Sequence, residues 1–181
     1  MTRDECVSVL KENCGNKNLL KHMFATEAVM KGLAERLGED IEEWGLAGLM
    51  HDLDVEETAD TPETHGLISA EKLSGMGFSE RIVRAVKAHN NHVPRESAMD
   101  RALYAGDPVT GLIVAATLMH PEKKLALVDV PFVMRRYKEK RFAAGASREQ
   151  METVRELGIE LEEFIGIALL AMQGISDELG L

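Results

Sequence analysis

Apolar residues recur at helical spacing along almost the whole chain, and this pattern limits the possible folds more than any other feature of the sequence. Between about residues 18 and 37 they form one stripe, made of Leu19, Leu20, Met23, Val29, Leu33 and Leu37. Hydrophobic residues make up 45% of the chain but aromatic residues only 4%, so the core must consist of aliphatic side chains and the 10 methionines. Such side chains suit packed helices, and we predict an all-α fold.

Residues that begin and end helices stand at the borders of these apolar segments. Thr2 and Glu5 have the spacing of a capping box at the start of the chain, and Gly38 follows the long stripe as a stop signal. Ser97 begins another segment, which contains Pro108. Because proline has no amide hydrogen, we expect the helix to kink or restart at Pro108.

Length and charge narrow the class of protein. The chain of 181 residues fits one domain of ordinary size, so we predict a single domain over residues 1–181. A formal net charge of -10 repels polyanions, and we expect no tight binding to duplex nucleic acid. The most apolar stretch, residues 159–172, carries three glutamates and is shorter than the roughly 20 residues of a membrane span. We therefore expect no membrane partner.

The two cysteines indicate the cellular compartment, and the apolar C-terminal residues indicate how the chain could assemble. Cys6 and Cys14 are too few for a disulfide framework, and no signal-like segment precedes Thr2, so we expect a cytoplasmic protein. Residues Phe164 to Met172 are apolar on most faces. They can form a core helix or bury against a second subunit, so both a monomer and a homodimer stay open.

Several histidines and aspartates stand at the ends of predicted helices. His51 and Asp52 are adjacent where an apolar segment ends, and an acidic loop with a proline follows them. Consecutive helical residues point about 100° apart, so this pair can share one ion only where the helix ends. Helix ends that are distant in sequence can converge in a bundle, and histidine and aspartate bind divalent metals. The pattern therefore predicts a metal site.

The order of His22, the doublet His51-Asp52, and Asp107 resembles the H, HD, D signature of the HD-domain superfamily of metal-dependent phosphohydrolases. The resemblance covers about residues 18–118 and implies an HD-domain helical bundle. From the apolar pattern of the tail, we expect the basic segment and additional C-terminal helices, residues 119–181, to pack on this bundle. The resemblance also implies that these four residues hold one divalent ion, with Asp52 and His51 as the catalytic pair.

Two further histidines extend the resemblance. His65 and His89 fall where two-metal members of the superfamily place extra ligands, so the implied cofactor is one or two divalent ions. Fe, Mn, Co, Ni, Zn and Mg all stay open. Asp54 departs from the family pattern, because many members have glycine there. The chain also lacks the GYP motif of cyclic-dinucleotide phosphodiesterases, which disfavours that activity.

The implied function is hydrolysis of a phosphoester or phosphoanhydride in a nucleotide or small phosphorylated metabolite by metal-activated water. This chemistry must neutralise phosphate oxygens and produce hydroxide near neutral pH, and a metal does both. We expect a small phosphorylated substrate, in particular a nucleotide. Two alternatives stay open: an HD-type diiron oxygenase, which has a similar ligand set, and a non-catalytic nucleotide-sensing HD protein.

One cluster of basic residues stands out in this acidic chain. Arginine matches phosphate geometry with its planar fork, and lysine supplies a point charge. We therefore predict that this basic cluster borders the metal cavity and binds substrate phosphate, although it can also be the solvated face of a helix. The predicted phosphate ligands are Lys138, Lys140, Arg141 and Arg148.

Overall fold

The computed structural model describes all 181 residues as helices joined by turns and loops, without a strand. The predicted all-α fold is confirmed. The α-helices, numbered α1 to α10, are Arg3–Asn13, Lys17–Leu37, Ile41–Met50, Leu67–Gly75, Glu80–His89, Ala98–Met119, Val130–Lys138, Arg148–Glu152, Leu161–Gln173 and Ser176–Leu179.

Side chains at the helix ends explain where several helices start and stop. Thr2 and Glu5 form the predicted capping box of α1, and Ser97 forms a second box with Asp100 at the start of α6. Helix α2 ends at Gly38, whose φ of 72° lies in the left-handed region that favours glycine. These local signals were visible in the sequence.

Helix α6 does not restart at Pro108. It runs unbroken from Ala98 to Met119 with the proline inside it. Proline removes one backbone hydrogen bond, but Leu103 before it and Leu112 after it are both fully buried. Burial on both sides therefore holds the two halves in one helix, and the expected restart was wrong.

Helix α2 lies at the centre of the bundle and packs against α3, α6 and α9. Its Val29, Met30 and Leu33 are fully buried, as is Trp44 of α3. The core is mainly aliphatic, as the composition predicted. Each such side chain stabilises the fold by roughly 1.5 to 3 kcal/mol when it leaves water.

The C-terminal helices pack on this bundle, as predicted from the apolar pattern of the tail. Helix α9 contacts α2, α6 and α7, and its Phe164 and Ile165 are fully buried. The apolar tail is thus mostly core, although Leu170 on its outer side remains exposed.

Helix α6 is also long and apolar enough to cross a membrane, judged by length and composition alone. Most of its apolar window, 61%, is buried inside the bundle. A core helix passes the same test, so burial accounts for the composition of α6.

The close approach of α3 to α2 depends on Gly48, which yields a test of the fold. A Cβ atom on Gly48 would lie 2.6 Å from the Thr26 backbone oxygen, which cannot rotate away. We expect Gly48→Ala to lower the free energy of unfolding by about 1 to 3 kcal/mol, measured by urea denaturation. Gly75→Ala is the control, because a Cβ there meets nothing within 4 Å. Equal stability of the two variants would contradict this account of the packing.

Candidate metal centre

Six side chains from separate parts of the chain converge in one cavity. Helices α2 and α6 supply one each, the end of α3 supplies the doublet, and the remaining two lie before α4 and at the end of α5. They are His22, Asp107, His51, Asp52, His65 and His89, the residues predicted as metal ligands. The structure therefore brings the whole predicted set together.

The carboxylate of Asp52 lies between the histidines. Its Oδ2 is 3.5 Å from His22 Nε2. Its Oδ1 faces three other Nε2 atoms, at 3.2 Å for His51, 3.3 Å for His65 and 3.5 Å for His89. A carboxylate with both oxygens directed at imidazole nitrogens is arranged to serve two neighbouring positions.

Asp107 completes one side of this cluster. Its Oδ1 lies 3.1 Å from His22 Nε2 and 3.9 Å from His51 Nε2. In each of two sets of three residues, the metal-binding side-chain atoms lie within 4.8 Å of one another. The sets are His22, His51 and Asp107, and His51, Asp52 and His89. Each set has the donor types and the closeness that a divalent ion needs.

The end of α3 explains how His51 and Asp52 reach the same cavity. The helix ends at Met50, and residues 51–60 form consecutive turns. The doublet therefore lies where the regular helix ends, as the sequence indicated, although His51 itself keeps helical dihedral angles of φ -61° and ψ -35°.

The outer nitrogen of each histidine is held by a protein acceptor. His51 Nδ1 donates to the Gly48 carbonyl at 2.8 Å, and His89 Nδ1 donates to the Val86 carbonyl. His22 Nδ1 donates to the Thr110 hydroxyl at 2.9 Å, because that hydroxyl gives its own proton to a backbone carbonyl. With Nδ1 donating to these acceptors, each Nε2 faces the cavity and is the nitrogen that could bind an ion or a second proton.

Asp54 accepts the hydrogen bond from Nδ1 of the fourth histidine, His65. This role of Asp54 was not predicted. Its Oδ1 accepts a hydrogen bond from His65 Nδ1 at 2.8 Å, and its Oδ2 accepts from the amides of Gly66 and Ser69. The Asp54 side chain is fully buried. The residue that departs from the family glycine thus orients His65.

Gly66 allows His65 and His89 to meet. Its φ is 83°, and a Cβ there would lie 3.1 Å from both the His89 ring and the Val86 carbonyl oxygen. The two histidine rings contact edge to face, with centroids 5.1 Å apart. A larger residue at 66 would separate them.

Charge and burial set the protonation of the cluster. Burial lowers the pKa of His22, but Asp107 and Asp52 outweigh it and raise that pKa to about 9. Hydrogen bonds to Asp52 and Asp54 raise the pKa of His65 to about 10. Burial would raise the pKa of Asp52, yet the surrounding histidines hold it well below its usual value. Carboxylates that stabilise a proton on an imidazole also stabilise a metal cation there.

His51 gives the sharpest test of whether a metal fits. Its side chain is 0% exposed, and its Nε2 is buried without a hydrogen-bond partner. Burial also lowers the pKa of His51, which keeps this nitrogen unprotonated. A buried lone pair without a donor is costly unless something coordinates it, so the residues present fit a divalent ion.

The four predicted phosphate ligands, unlike the predicted metal ligands, are not among the side chains that converge in the metal cavity. Lys138, Lys140 and Arg141 are exposed. Arg148 directs its guanidinium at backbone carbonyls, those of Arg136, Tyr137, Phe142, Ala143 and Ala146. None of the four predicted residues lines the pocket next to His22. Their assignment to substrate phosphate stays a prediction.

The comparisons with known proteins agree with the geometry. The family model for the HD domain matches residues 19–127, more than half of the chain. The chain is 29% identical over 96 residues to Ribonuclease Y of Nitratidesulfovibrio vulgaris, covering 53% of this chain and 18% of that protein. It is 25% identical over 167 residues to Ribonuclease Y of Rubrobacter xylanophilus, covering 90% of this chain and 32% of that protein. No solved structure matches.

The chain thus spans less than a fifth of the first of these relatives. The resemblance drawn from the sequence is confirmed. Because the matched residues include every one of the converging side chains, this chain belongs to the HD-domain family.

Proposed function

We propose that this chain is a metal-dependent phosphohydrolase that cleaves a phosphoester or phosphoanhydride in a nucleotide or another small phosphorylated metabolite. The observation that carries the proposal is the Asp52 carboxylate, whose two oxygens lie between the Nε2 atoms of four histidines. His22, His51, Asp52 and Asp107 would hold one divalent ion, and Asp52, His65 and His89 a second. A bound ion lowers the pKa of a coordinated water and polarises phosphoryl oxygens.

The exposure of the ligands indicates the side from which substrate enters. His22, His65 and Asp107 are 24%, 22% and 29% exposed. His51 and His89 are 0% and 3% exposed and form the floor of the cavity. Phosphate and water would therefore approach over the three exposed ligands.

Water is the nucleophile that best suits this cavity. Thr110 has the hydroxyl that contacts a ligand, but it donates its proton to the Asp107 carbonyl and accepts from His22. That hydroxyl is fixed in orientation by both bonds, so it serves to position His22. No covalent intermediate on the protein is needed.

Hydrolysis of RNA is the second candidate function, favoured by relatives named Ribonuclease Y. The net charge of -10 opposes binding of a long polyanion, so we place small substrates first. A screen of phosphorylated metabolites and short RNAs, with Mn, Fe, Co and Ni added back in turn, separates the two. Uptake of oxygen with an organic substrate would instead support the oxygenase alternative.

Asp52→Ala tests the centre of the site. Removal of the shared carboxylate should release metal and reduce activity by at least about 100-fold, because uncharged water cannot replace it. Elemental analysis and a phosphatase assay measure the two effects. Asp60→Ala, an exposed carboxylate in the same acidic turn, should behave as the parent. Full metal content in Asp52→Ala would refute the assignment.

His65→Ala and His89→Ala test whether there are two ions. Each variant should retain about half the metal of the parent, because the ligands on the His22 side remain. His120→Ala is the control, since His120 contacts Phe132 rather than the cavity. Parental metal content in both variants would mean a single ion.

Asp54→Asn tests how His65 is oriented. The amide oxygen can still accept from the Gly66 and Ser69 amides, but an amide NH2 facing His65 Nδ1 would favour the proton on Nε2. We expect the fold to persist while affinity for the second ion falls by about 10- to 100-fold, measured by competition with a chelator. Unchanged affinity at both positions would show that Asp54 has no such role.

A further inference from the structure

We propose that the pocket next to His22 binds a small phosphomonoester with an aliphatic body, and that Lys21 is the cation that holds its phosphate. This inference rests on the proposed function and specifies its substrate class. The juxtaposition that carries it is an unpaired, half-buried lysine and a metal-site histidine in the wall of one pocket.

The pocket adjoins the candidate metal centre directly. It has a volume of about 510 Å³, within the range of small-molecule sites. His22 and Thr110 form part of its wall, and these two residues are hydrogen-bonded to each other. A molecule in this pocket therefore lies against His22, the one residue of the ligand cluster in the lining.

Lys21 lies in the pocket wall and has no ion-pair partner, so it can bind an anionic ligand. It precedes His22 on α2 and is partly buried in the same pocket. Two other half-buried lysines have carboxylate partners, since Lys31 pairs with Glu27 and Lys72 with Glu57. Lys87 is half-buried without an ion pair, but it does not line this pocket. Lys21 has no carboxylate within ion-pair distance, and it is the one lysine or arginine that lines the pocket. Its charge is therefore available to an anion.

The other residues of the pocket lining indicate which organic group carries the phosphate of the substrate. No aspartate or glutamate lines the pocket, so no acidic side chain of the lining repels a phosphate there. The apolar wall consists of Ala25, Val114, Leu118, Leu179 and Leu181. Phenylalanine, tyrosine and tryptophan are absent from the lining, so the imidazole of His22 is the one aromatic ring that a nucleobase would meet.

One cation also limits the charge of the substrate. A single lysine can neutralise part of one phosphate, whereas a polyphosphate would bring further charges into a pocket without another cation. Together with the aliphatic wall, this favours a phosphomonoester over a dinucleoside polyphosphate.

Calorimetric titration of inorganic phosphate into the metal-loaded protein tests the role of Lys21 without requiring turnover. Lys21→Met should weaken phosphate binding by about tenfold, as expected for loss of one charged hydrogen bond, and Lys21→Arg should retain most of it. Lys17→Met is the matched control, because Lys17 is exposed on the same helix and does not line the pocket. Metal content should stay unchanged in all three variants.

Equal phosphate affinity in Lys21→Met and Lys17→Met would overturn the proposal. Should Lys21→Met fail to fold, the unmodified protein gives the answer: phosphate should protect Lys21 from acetylation, as followed by mass spectrometry, and absence of protection counts against the proposal. A protein that binds phosphate through Lys21 but hydrolyses neither phosphoesters nor phosphoanhydrides would contradict the proposed function and leave the binding site supported.

The aliphatic wall has its own test. Butyl phosphate should bind more tightly than inorganic phosphate, because its chain leaves water for the apolar wall. Val114→Ser should reduce that difference. Equal affinity for the two compounds in the parent protein would overturn the assignment of an aliphatic body.

Discussion

The burial of one carboxylate, that of Asp52, is the interaction on which the rest of this structure depends. A buried charge is costly unless it is surrounded by compensating groups, and here four imidazole nitrogens supply them. Those rings come from α2, the end of α3, the turn before α4 and the end of α5. The helices must therefore be placed so that their ends meet around a single point, and the close packing of α3 on α2 at Gly48 is part of that placement.

Much of this could be predicted from the sequence, because the relevant signals are local or ordered along the chain. The helical spacing of apolar residues and caps such as Thr2 and Ser97 act within a few residues, and they predicted an all-α fold that the structure confirms. The order of the first histidine, the doublet and the later aspartate indicated the family, which the family model confirms. The doublet could also be placed at a helix end, because an acidic, proline-containing loop follows it.

What could not be predicted depends on groups that meet only in the folded chain. Asp54 looked like a departure from a pattern, and its function becomes visible only when His65 and two backbone amides are seen around it. Arg148 looked like one member of a basic cluster, yet its guanidinium is satisfied by carbonyls of the surrounding loop. Lys21 differed from other lysines only in preceding His22, and neither its pocket nor its lack of a carboxylate partner can be derived from sequence spacing.

The hydrogen bonds to Nδ1 have a consequence for metal exchange. Since the acceptors for His51 and His89 are carbonyls of their own local backbone, the ring orientations are set when the helices form. A metal site whose ligand side chains are already ordered loses little conformational entropy when it binds a cation. Its side chains also need not move when one cation replaces another. A mixture of imidazole and carboxylate donors suits several first-row divalent ions. For any divalent ion that this site binds, we therefore expect the choice among these metals to depend on their intrinsic affinities and their relative supply rather than on an adjustment of the protein.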